Sequence, residues 1–502
     1  MAQAKDTPAN AFPFSRTNLP KQIFINNEYV ESTSGKKLTV YNPKDGSLVA
    51  DDVALAGEKD VDAAVAAAKA AFPAWKRVSA KERRDILLKF ADLLEKHIES
   101  LAELTRITNG MPISIGKHET GAAVEVFRHN AGWIDKFAGE SHPQENGFLK
   151  ITRHEPLGVT AGILPWNAPI GVLSFKAGPA LATGNCIIIK PSEKTPFAAL
   201  ALGPLIREAG FPPGVFQVLS GDGSTGALLA GHMEIRKVSF TGSVATGKKV
   251  QELAARSNLK KVTLELGGKS PAVVFDDCNL ANALDWTVRS ILTNTGQACH
   301  AATRVYVQEG IYDEFARRYK AALEAQAKTI GDPDSASTTI GPLVDEAQFK
   351  RVSGFIERGA AGQGSLLTGG KCGIGVNDNN GKGFFVEPTV FTDVQEDAEI
   401  NTHEIFGPVA VLTPFKTEEE AIRKANATEY GLMAGVFTQD INRALRVASE
   451  FESGMVGINC ISLLFFNTPF GGSKQSGIGR ELGREALEAY TETKTVMVNL
   501  TY

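Results

Sequence analysis

The sequence predicts an α/β protein with two helix-covered, largely parallel sheets, and three observations carry that expectation. From Gly158 to Phe275, short runs rich in Val, Ile, Leu and Phe alternate with turns and amphipathic stretches. Strands separated by helices form parallel sheets whose strands are buried on both faces. The same alternation resumes beyond Cys299 and runs to Ile458. Finally, the chain has 502 residues, 43% hydrophobic and 22% charged. That is enough for about three domains or two large ones, and it is the composition of a globular chain rather than a disordered one.

Taken in order, the first 20 residues read as a loose arm, with Ile23 to Tyr29 and Lys37 to Tyr41 as a short strand pair. Glu58 to Phe72 and Ala80 to Thr108 read as helices, because Ala, Leu and Ile recur at spacings of three and four. Strands are expected at Val159 to Leu164, Cys186 to Lys190, Phe216 to Ser220, Lys237 to Phe240, Lys261 to Leu266 and Pro271 to Phe275. Helices fall between them at Ala198 to Ala209 and Ser243 to Ala255. A strand at Arg304 to Gln308 and a helix over 311–328 open the second series. The tail, Lys494 to Tyr502, reads as a lone strand in need of a partner sheet.

Charge and cysteine usage exclude several classes. The formal charge is −4, so a strongly basic nucleic-acid binder is not expected. Cys186, Cys278, Cys299, Cys372 and Cys460 are widely spaced and contain no C-x-x-C pair, so neither a disulfide framework nor a zinc site is expected. The N-terminus lacks the apolar core of a secretory signal and is not Arg-rich, which makes the cytoplasm the default compartment. Pro156 to Phe175 carries no charge and is long enough to cross a membrane, but three prolines interrupt it. A buried strand, loop and helix is the expectation there, and no membrane association.

Two loops look like phosphate binders. Gly221-Asp-Gly-Ser-Thr-Gly226 fits the dinucleotide fingerprint G-x-G-x-x-G, but the acidic residue expected about 20 positions on is missing. Gly242-Ser-Val-Ala-Thr-Gly247-Lys248-Lys249 nearly matches a P-loop, yet Lys249 stands where Ser or Thr must hold magnesium. ATPase chemistry is therefore not expected. What remains is a Gly-Ser turn opening a helix, the positive end of a dipole suited to phosphate. The ordinary alternative for each loop is a strand-to-helix turn.

Several segments together resemble the aldehyde dehydrogenase superfamily. They are Pro165-Trp-Asn-Ala-Pro169, Lys190-Pro-Ser-Glu193, Phe240-Thr-Gly-Ser243 with Gly247, Leu264-Glu-Leu-Gly-Gly-Lys269 and Gly296-Gln-Ala-Cys299. Glu404-Ile-Phe-Gly-Pro408, Pro469-Phe-Gly-Gly-Ser-Lys474 and Ser476-Gly-Ile-Gly-Arg-Glu481 complete the set in family order. The resemblance implies a Rossmann-type cofactor domain at about 1–137 and 157–267, and a second α/β catalytic domain at about 268–478. It also implies a small β oligomerisation element from 138–156 and 485–502, hence a homodimer or homotetramer, since an unpaired tail strand is an edge that invites partner chains.

The resemblance further implies NAD-dependent, hydrolytic oxidation of an aldehyde. Cys299 would be the nucleophile, Glu265 the base that activates water and Asn167 an oxyanion donor. NAD contacts would come from Pro165, Trp166, Lys190, Ser192, Glu193, Gly223, Gly226, Phe240, Thr241, Gly242, Ser243, Thr246, Gly247, Leu266, Gly267, Glu404 and Phe406. Glu193 would accept from the adenine-ribose hydroxyls and repel a 2′-phosphate, which makes NADP the less favoured cofactor. The aldehyde tunnel would be lined by Ala168, Val172, Phe175, Ala298, His300, Leu464, Phe465 and Phe470, with Ser462 as the main polar addition. His300 is read as pocket wall rather than as half of a Cys–His pair. No charged residue is among these, so a neutral, bulky aldehyde, aromatic or medium-chain, is expected. The alternatives are a coenzyme A-acylating enzyme, which would generally lack Glu265, and an idle binding protein, which would have lost one of Cys299, Glu265 or Asn167.

Overall fold

The computed structural model describes residues 12–376 and 382–502. Two sheets organise it. The first has eight strands in the order Glu28–Val30, Ile23–Ile25, Phe216–Val218, Cys186–Lys190, Val159–Ile163, Lys237–Thr241, Lys261–Glu265, Gly477–Ile478. From Phe216–Val218 to Lys261–Glu265 the strands run parallel, and the outer ones pair antiparallel. Val159–Ile163 and Cys186–Lys190 are buried at every position, as expected of strands covered on both faces. The chain passes outward from Val159–Ile163 to Phe216–Val218, then returns to add Lys237–Thr241 on the other side. Such a reversal opens a crevice at the carboxyl ends of the two strands that flank it.

The second sheet has seven strands, ordered Ser365–Thr368, Thr389–Thr392, Val409–Phe415, Ala302–Gln308, Ser270–Val274, Met433–Phe437, Met455–Ile458, all parallel except the first. Strand Lys261–Glu265 ends the first sheet's parallel run, and Ser270–Val274 begins in the second. Only Leu266 to Lys269 bridges them. Helices Glu58–Trp75, Ala80–Lys96, Ile98–Asn109 and Ile113–Trp133 form a layer on the first sheet. Ser79 and Glu82 close a capping box at one start, and Leu87, Phe90, Ala91 and Leu94 face inward from that helix. Phe90 meets Phe127, Phe211 and Phe216 at centroid distances of 5.0, 5.7 and 5.6 Å.

Several expectations need correction. Ile23–Ile25 and Glu28–Val30 are themselves a hairpin turned by Asn26 and Asn27, both at positive φ, while Lys37–Tyr41 pairs with Leu48–Ala54. Asparagine tolerates the left-handed conformation that such a tight turn needs. Of the loose arm, residues 1–11 lie outside the described residues. Its remainder is docked, with Phe12 stacked on His97 and Phe14 edge-on to Tyr29. The run from Ala80 to Thr108 is two helices that meet at His97, whose φ of −114° breaks the helical path. Ala198 to Ala209 likewise divides into Phe197–Leu200 and Gly203–Ala209. The tail is not lone: Thr491–Asn499 pairs residue for residue with Phe148–Pro156, beside Ser141–Glu145. Strand Gly477–Ile478 belongs to the first sheet, although it follows the whole second sheet in the chain. Among the described residues, no helix is long and apolar enough to cross a membrane.

Candidate active site

Helix Leu280–Leu292 leads into a turn in which Asn294, Thr295 and Gly296 all have positive φ, at 47°, 58° and 72°. Two non-glycine residues in succession there are strained, and specific bonds hold them. Asn294 Nδ2 donates to the Asn167 carbonyl at 3.0 Å, and Thr295 Oγ1 to the Gly341 carbonyl at 3.0 Å. Gly296 must be glycine, because a Cβ would lie 2.2 Å from the Gly407 backbone. The turn delivers Cys299 against Gly268 and into an apolar cluster with Phe175, Phe470, Leu464 and Phe466. Burial pushes the Cys299 thiol well above its ordinary range, and the charges of Glu265 and Glu404 add to this. The backbone N–H groups of Cys299 and His300 pull the other way.

Glu265 ends strand Lys261–Glu265 and is 2% exposed. Neither carboxylate oxygen has a hydrogen-bond partner among the described residues. Burial raises this carboxyl well above the usual range. Nearby Glu481 raises it further, against Lys176 and Arg480. Sequence reasoning missed the polar layer beneath it. Lys176 Nζ donates to Glu481 Oε1 at 2.6 Å, Thr241 Oγ1 at 2.8 Å and Ser239 Oγ at 3.0 Å, with the Lys176 side chain wholly buried. Lys237 lies behind, bonded to Thr263 and over the Tyr490 ring at 4.8 Å, and burial lowers its ammonium to about 7. A signal existed: Lys176 is the one charge directly ending an uncharged run, and Glu481 closes a motif already noted.

Asn167 Nδ2 donates to the Gln297 carbonyl at 3.0 Å, two residues before Cys299. Gln297 Oε1 in turn accepts from Val344 N at 2.9 Å. The loop carrying Asn167 is held from outside as well. Asn109 Nδ2 donates to the Trp166 carbonyl, and Glu119 Oε1 accepts from Ile170 N and Gly171 N at 2.9 and 2.7 Å. Burial raises Glu119 to about 7 against those two N–H groups. A carboxyl thus lies beside Ala168 and Gly171, where none was expected.

Two tunnel expectations change. The Ser462 hydroxyl is engaged with Ser290 Oγ and the His300 carbonyl, at 2.5 and 2.8 Å, so it braces the wall instead of offering a polar contact. Phe465 is 57% exposed, whereas its neighbour Phe466 packs with the Cys299 cluster; the positive φ of Ser462 at 60° sets the course of this loop. Val172 packs into the core of the first sheet, with Ala168 against it, and Ala298 packs into the core of the second. Burial lowers His300 to about 4, so its imidazole is neutral at neutral pH.

Most of the remaining motif residues belong to the first sheet and to the helices that follow its strands. Ser243 caps helix Val244–Ser257 by accepting from Thr246 N at 3.3 Å. Asp222 caps helix Gly223–Gly231 through Ser224 N at 2.8 Å. A carboxylate at that helix start is unfavourable for a pyrophosphate. Gly226 lies against Lys190 and Ile163, and Gly223 faces open space. Lys190 is buried and donates to the Gly221 carbonyl at 2.7 Å, while Glu193 stands 3.6 Å from its ammonium with a half-exposed carboxylate. Packing explains two of the glycines: a Cβ at Gly242 would strike Phe240, and one at Gly247 would strike Leu266. Thr241 and Ser192 are turned inward, the former bonded to Lys176.

At the opposite end, Glu404 Oε1 accepts from Gly268 N at 3.0 Å, and burial raises its carboxyl to about 7 against Lys269 and Arg351. Gly267 faces the same carboxylate. Phe406, at a φ of 62°, meets Trp166 edge-on at 5.2 Å, and Gln348 Nε2 holds its carbonyl at 2.8 Å. Lys194 lies over the Trp166 ring. Pro165 precedes it in the loop after Val159–Ile163. Among the described residues no His, Cys, Asp and Glu cluster is placed to hold a metal.

The buried Cys299 thiol thus lies within electrostatic reach of the buried Glu265 carboxyl. The chain is 45% identical over 491 residues to an aldehyde dehydrogenase of Emericella nidulans, covering 97% of each chain. It is 45% identical to human retinal dehydrogenase 2 over 484 residues, covering 95% of this chain and 92% of that one. An aldehyde dehydrogenase of Bacillus cereus, solved as its NAD+ complex, superimposes with a TM-score of 0.92 at 42% identity, covering 95% and 96% of the two chains. The aldehyde dehydrogenase family profile matches residues 29–496, and this chain belongs to that family.

Proposed function

We propose that the protein oxidises a neutral, bulky aldehyde to its carboxylic acid with NAD+, through a thioester on Cys299. The observation that carries the reading is the buried Cys299 thiol within electrostatic reach of Glu265, a buried carboxyl whose oxygens have no hydrogen-bond partner among the described residues.

The donor set fits the dinucleotide. The N-terminus of helix Val244–Ser257, capped by Ser243, is the positive end of a dipole suited to a pyrophosphate. Glu193 and Lys190 offer an acceptor and a donor for ribose hydroxyls, and Glu404 offers a second acceptor beside Phe406 and Trp166. When bound, NAD+ supplies a two-electron acceptor for the hydride of the aldehyde carbon.

The chain's own residues do the rest. Cys299 loses its thiol proton to Glu265, and its sulfur attacks the aldehyde carbon as the carbonyl pair moves onto oxygen. That oxyanion accepts from the Cys299 backbone N–H and from the Asn167 N–H that the Gln297 carbonyl leaves free; each such donor contributes about 3–4 kcal/mol. After hydride departure the carbon is a thioester. Glu265, having shed its first proton, takes one from water; hydroxide attacks, the carbon–sulfur bond breaks, and the thiolate is restored. Burial raises this carboxyl and so makes it a better proton acceptor than an exposed glutamate.

Phe175, Leu464, Phe466 and Phe470 belong to the same apolar cluster as Cys299, which favours an apolar substrate, each buried methylene adding up to ~0.8 kcal/mol. The presence of Glu265 argues against acyl transfer to coenzyme A, and the retention of Cys299, Glu265 and Asn167 argues against an idle fold. The tail sheet, with Met497 70% exposed on its outer strand, supports a homodimer or homotetramer. The test is NADH formation at 340 nm across aliphatic, aromatic and charged aldehydes. Cys299→Ala should abolish it while NAD+ still binds; substantial turnover by that variant would overturn the assignment, and a higher kcat/KM for a charged aldehyde would overturn the substrate class.

A further inference from the structure

We infer that Glu119 is a positioning residue for the oxyanion donor Asn167, acting through the backbone of the helix that Asn167 precedes. The inference rests on the reading of Asn167 given above.

Helix Pro169–Ala182 cannot cap itself. Its N-cap residue is Ala168, which has no side-chain acceptor, and Pro169 has no N–H to satisfy. The first free donors are Ile170 N and Gly171 N. Glu119, from helix Ile113–Trp133, accepts from both with one oxygen. A carboxylate at a helix N-terminus is favoured by the helix dipole as well as by the two bonds. Its other oxygen is buried and has no partner among the described residues, so the group's polar contacts in the structure all go to this helix start. On the other side of Asn167, Asn109 holds the Trp166 carbonyl. Asn167 therefore sits in a short span gripped at both ends by the outer helical layer, while its own amide reaches across to Gln297. Without the Glu119 grip the span is free to shift at its carboxyl side, and a displacement near 1 Å at a catalytic group costs on the order of a hundredfold in rate.

The experiment is a double-mutant cycle. Glu119→Gln, Glu119→Ala, Asn167→Ala and the two double variants are assayed for kcat, for KM of NAD+ and for thermal midpoint. Glu119→Ala is expected to lower kcat about tenfold or more, with KM for NAD+ within about twofold of wild type. Glu119→Gln, which keeps an acceptor, should recover part of the loss. In the Asn167→Ala background neither change at Glu119 should lower kcat further, because the group it positions is gone. If Asn167→Ala alone left kcat intact, the oxyanion reading would fail. If Asn167→Ala were impaired and the Glu119 loss were fully additive, or absent, the positioning role would fall. Should Glu119→Ala not fold, the Glu119→Gln arm of the cycle decides by the same criterion.

Discussion

Replacing Gly267 by Ala tests the cofactor end of the crevice without disturbing the fold. Gly267 has no left-handed φ, so alanine meets no backbone strain. Its Cβ, however, would lie 2.2 Å from Glu404 Oε2 and 2.7 Å from Cδ. An ordinary contact requires the carboxylate to retreat by about 1 Å, a displacement that costs on the order of 10²-fold in rate where the group positions a reactant. The retreat also breaks the 3.0 Å bond from Gly268 N, a charge-assisted bond worth about 1.5–3 kcal/mol. Because the obstacle is the end of a flexible side chain, the protein should still fold, with a thermal midpoint only a few degrees lower. Gly268→Ala is the contrast: there the Cβ would lie 2.2 Å from the Cys299 carbonyl oxygen, which is backbone and cannot swing aside. That variant should be far less stable. The assay is NADH formation with ordinary and 1-deuterated aldehyde. Gly267→Ala should lower kcat about a hundredfold and show a primary isotope effect, as hydride transfer becomes limiting. Wild-type kcat with no isotope effect would refute the role given to Glu404.

Glu265→Gln should separate the half-reactions: a rapid-quench burst near one NADH per site, then a slow steady state, with deacylation at the wild-type rate counting against Glu265 as the base. Lys176→Met leaves Glu481 buried without its cationic partner, with only the Ser239 hydroxyl, among the described residues, still donating to it, which should destabilise the fold by about 3–5 kcal/mol. It also removes a positive charge that lowers Glu265, so the base requires higher pH to ionise and the acid limb of the steady-state rate should move upward; an unmoved limb would contradict this electrostatic account. NAD+ should exceed NADP+ in kcat/KM by tenfold or more, since like charges at Glu193 cost several kcal/mol, and Glu193→Gln should narrow the gap; equal kcat/KM in the wild type would refute it.

The parallel strands were legible because each is a short apolar run bounded by turns, and Cys186–Lys190 matched the expected limits. Helix Ile113–Trp133 was not, because Gly116, Gly121 and Gly132 and a scatter of His and Thr obscure its period. Helix Leu280–Leu292 was also overlooked, although Asn279 caps it and Ala283, Thr287 and Ile291 recur at four. At the site, local motifs named Cys299, Glu265 and Asn167. What they could not name was long-range: Glu481 reaches Lys176 across 305 positions and Glu119 reaches Ile170 across 51, and no spacing rule links residues so far apart. That Phe465 is exposed while Phe466 packs inward was illegible for a related reason, since adjacent loop residues face opposite ways and only the fold decides which one turns inward.

The short bridge from Leu266 to Lys269, together with the return of Gly477–Ile478 to the first sheet, has a consequence for dividing the protein. A cut after Gly267 would look like a boundary between halves. Yet the leading fragment would keep an exposed edge at Lys261–Glu265, lacking the strand that pairs with Leu264 and Glu265 and the Ser476 carbonyl that holds Leu266 N. It would hold the base without its buried Glu481 neighbour. The trailing fragment would carry Cys299 and a nine-residue terminal strand whose mate, Phe148–Pro156, remained behind. The smallest piece of this chain that can own an active site is nearly all of it.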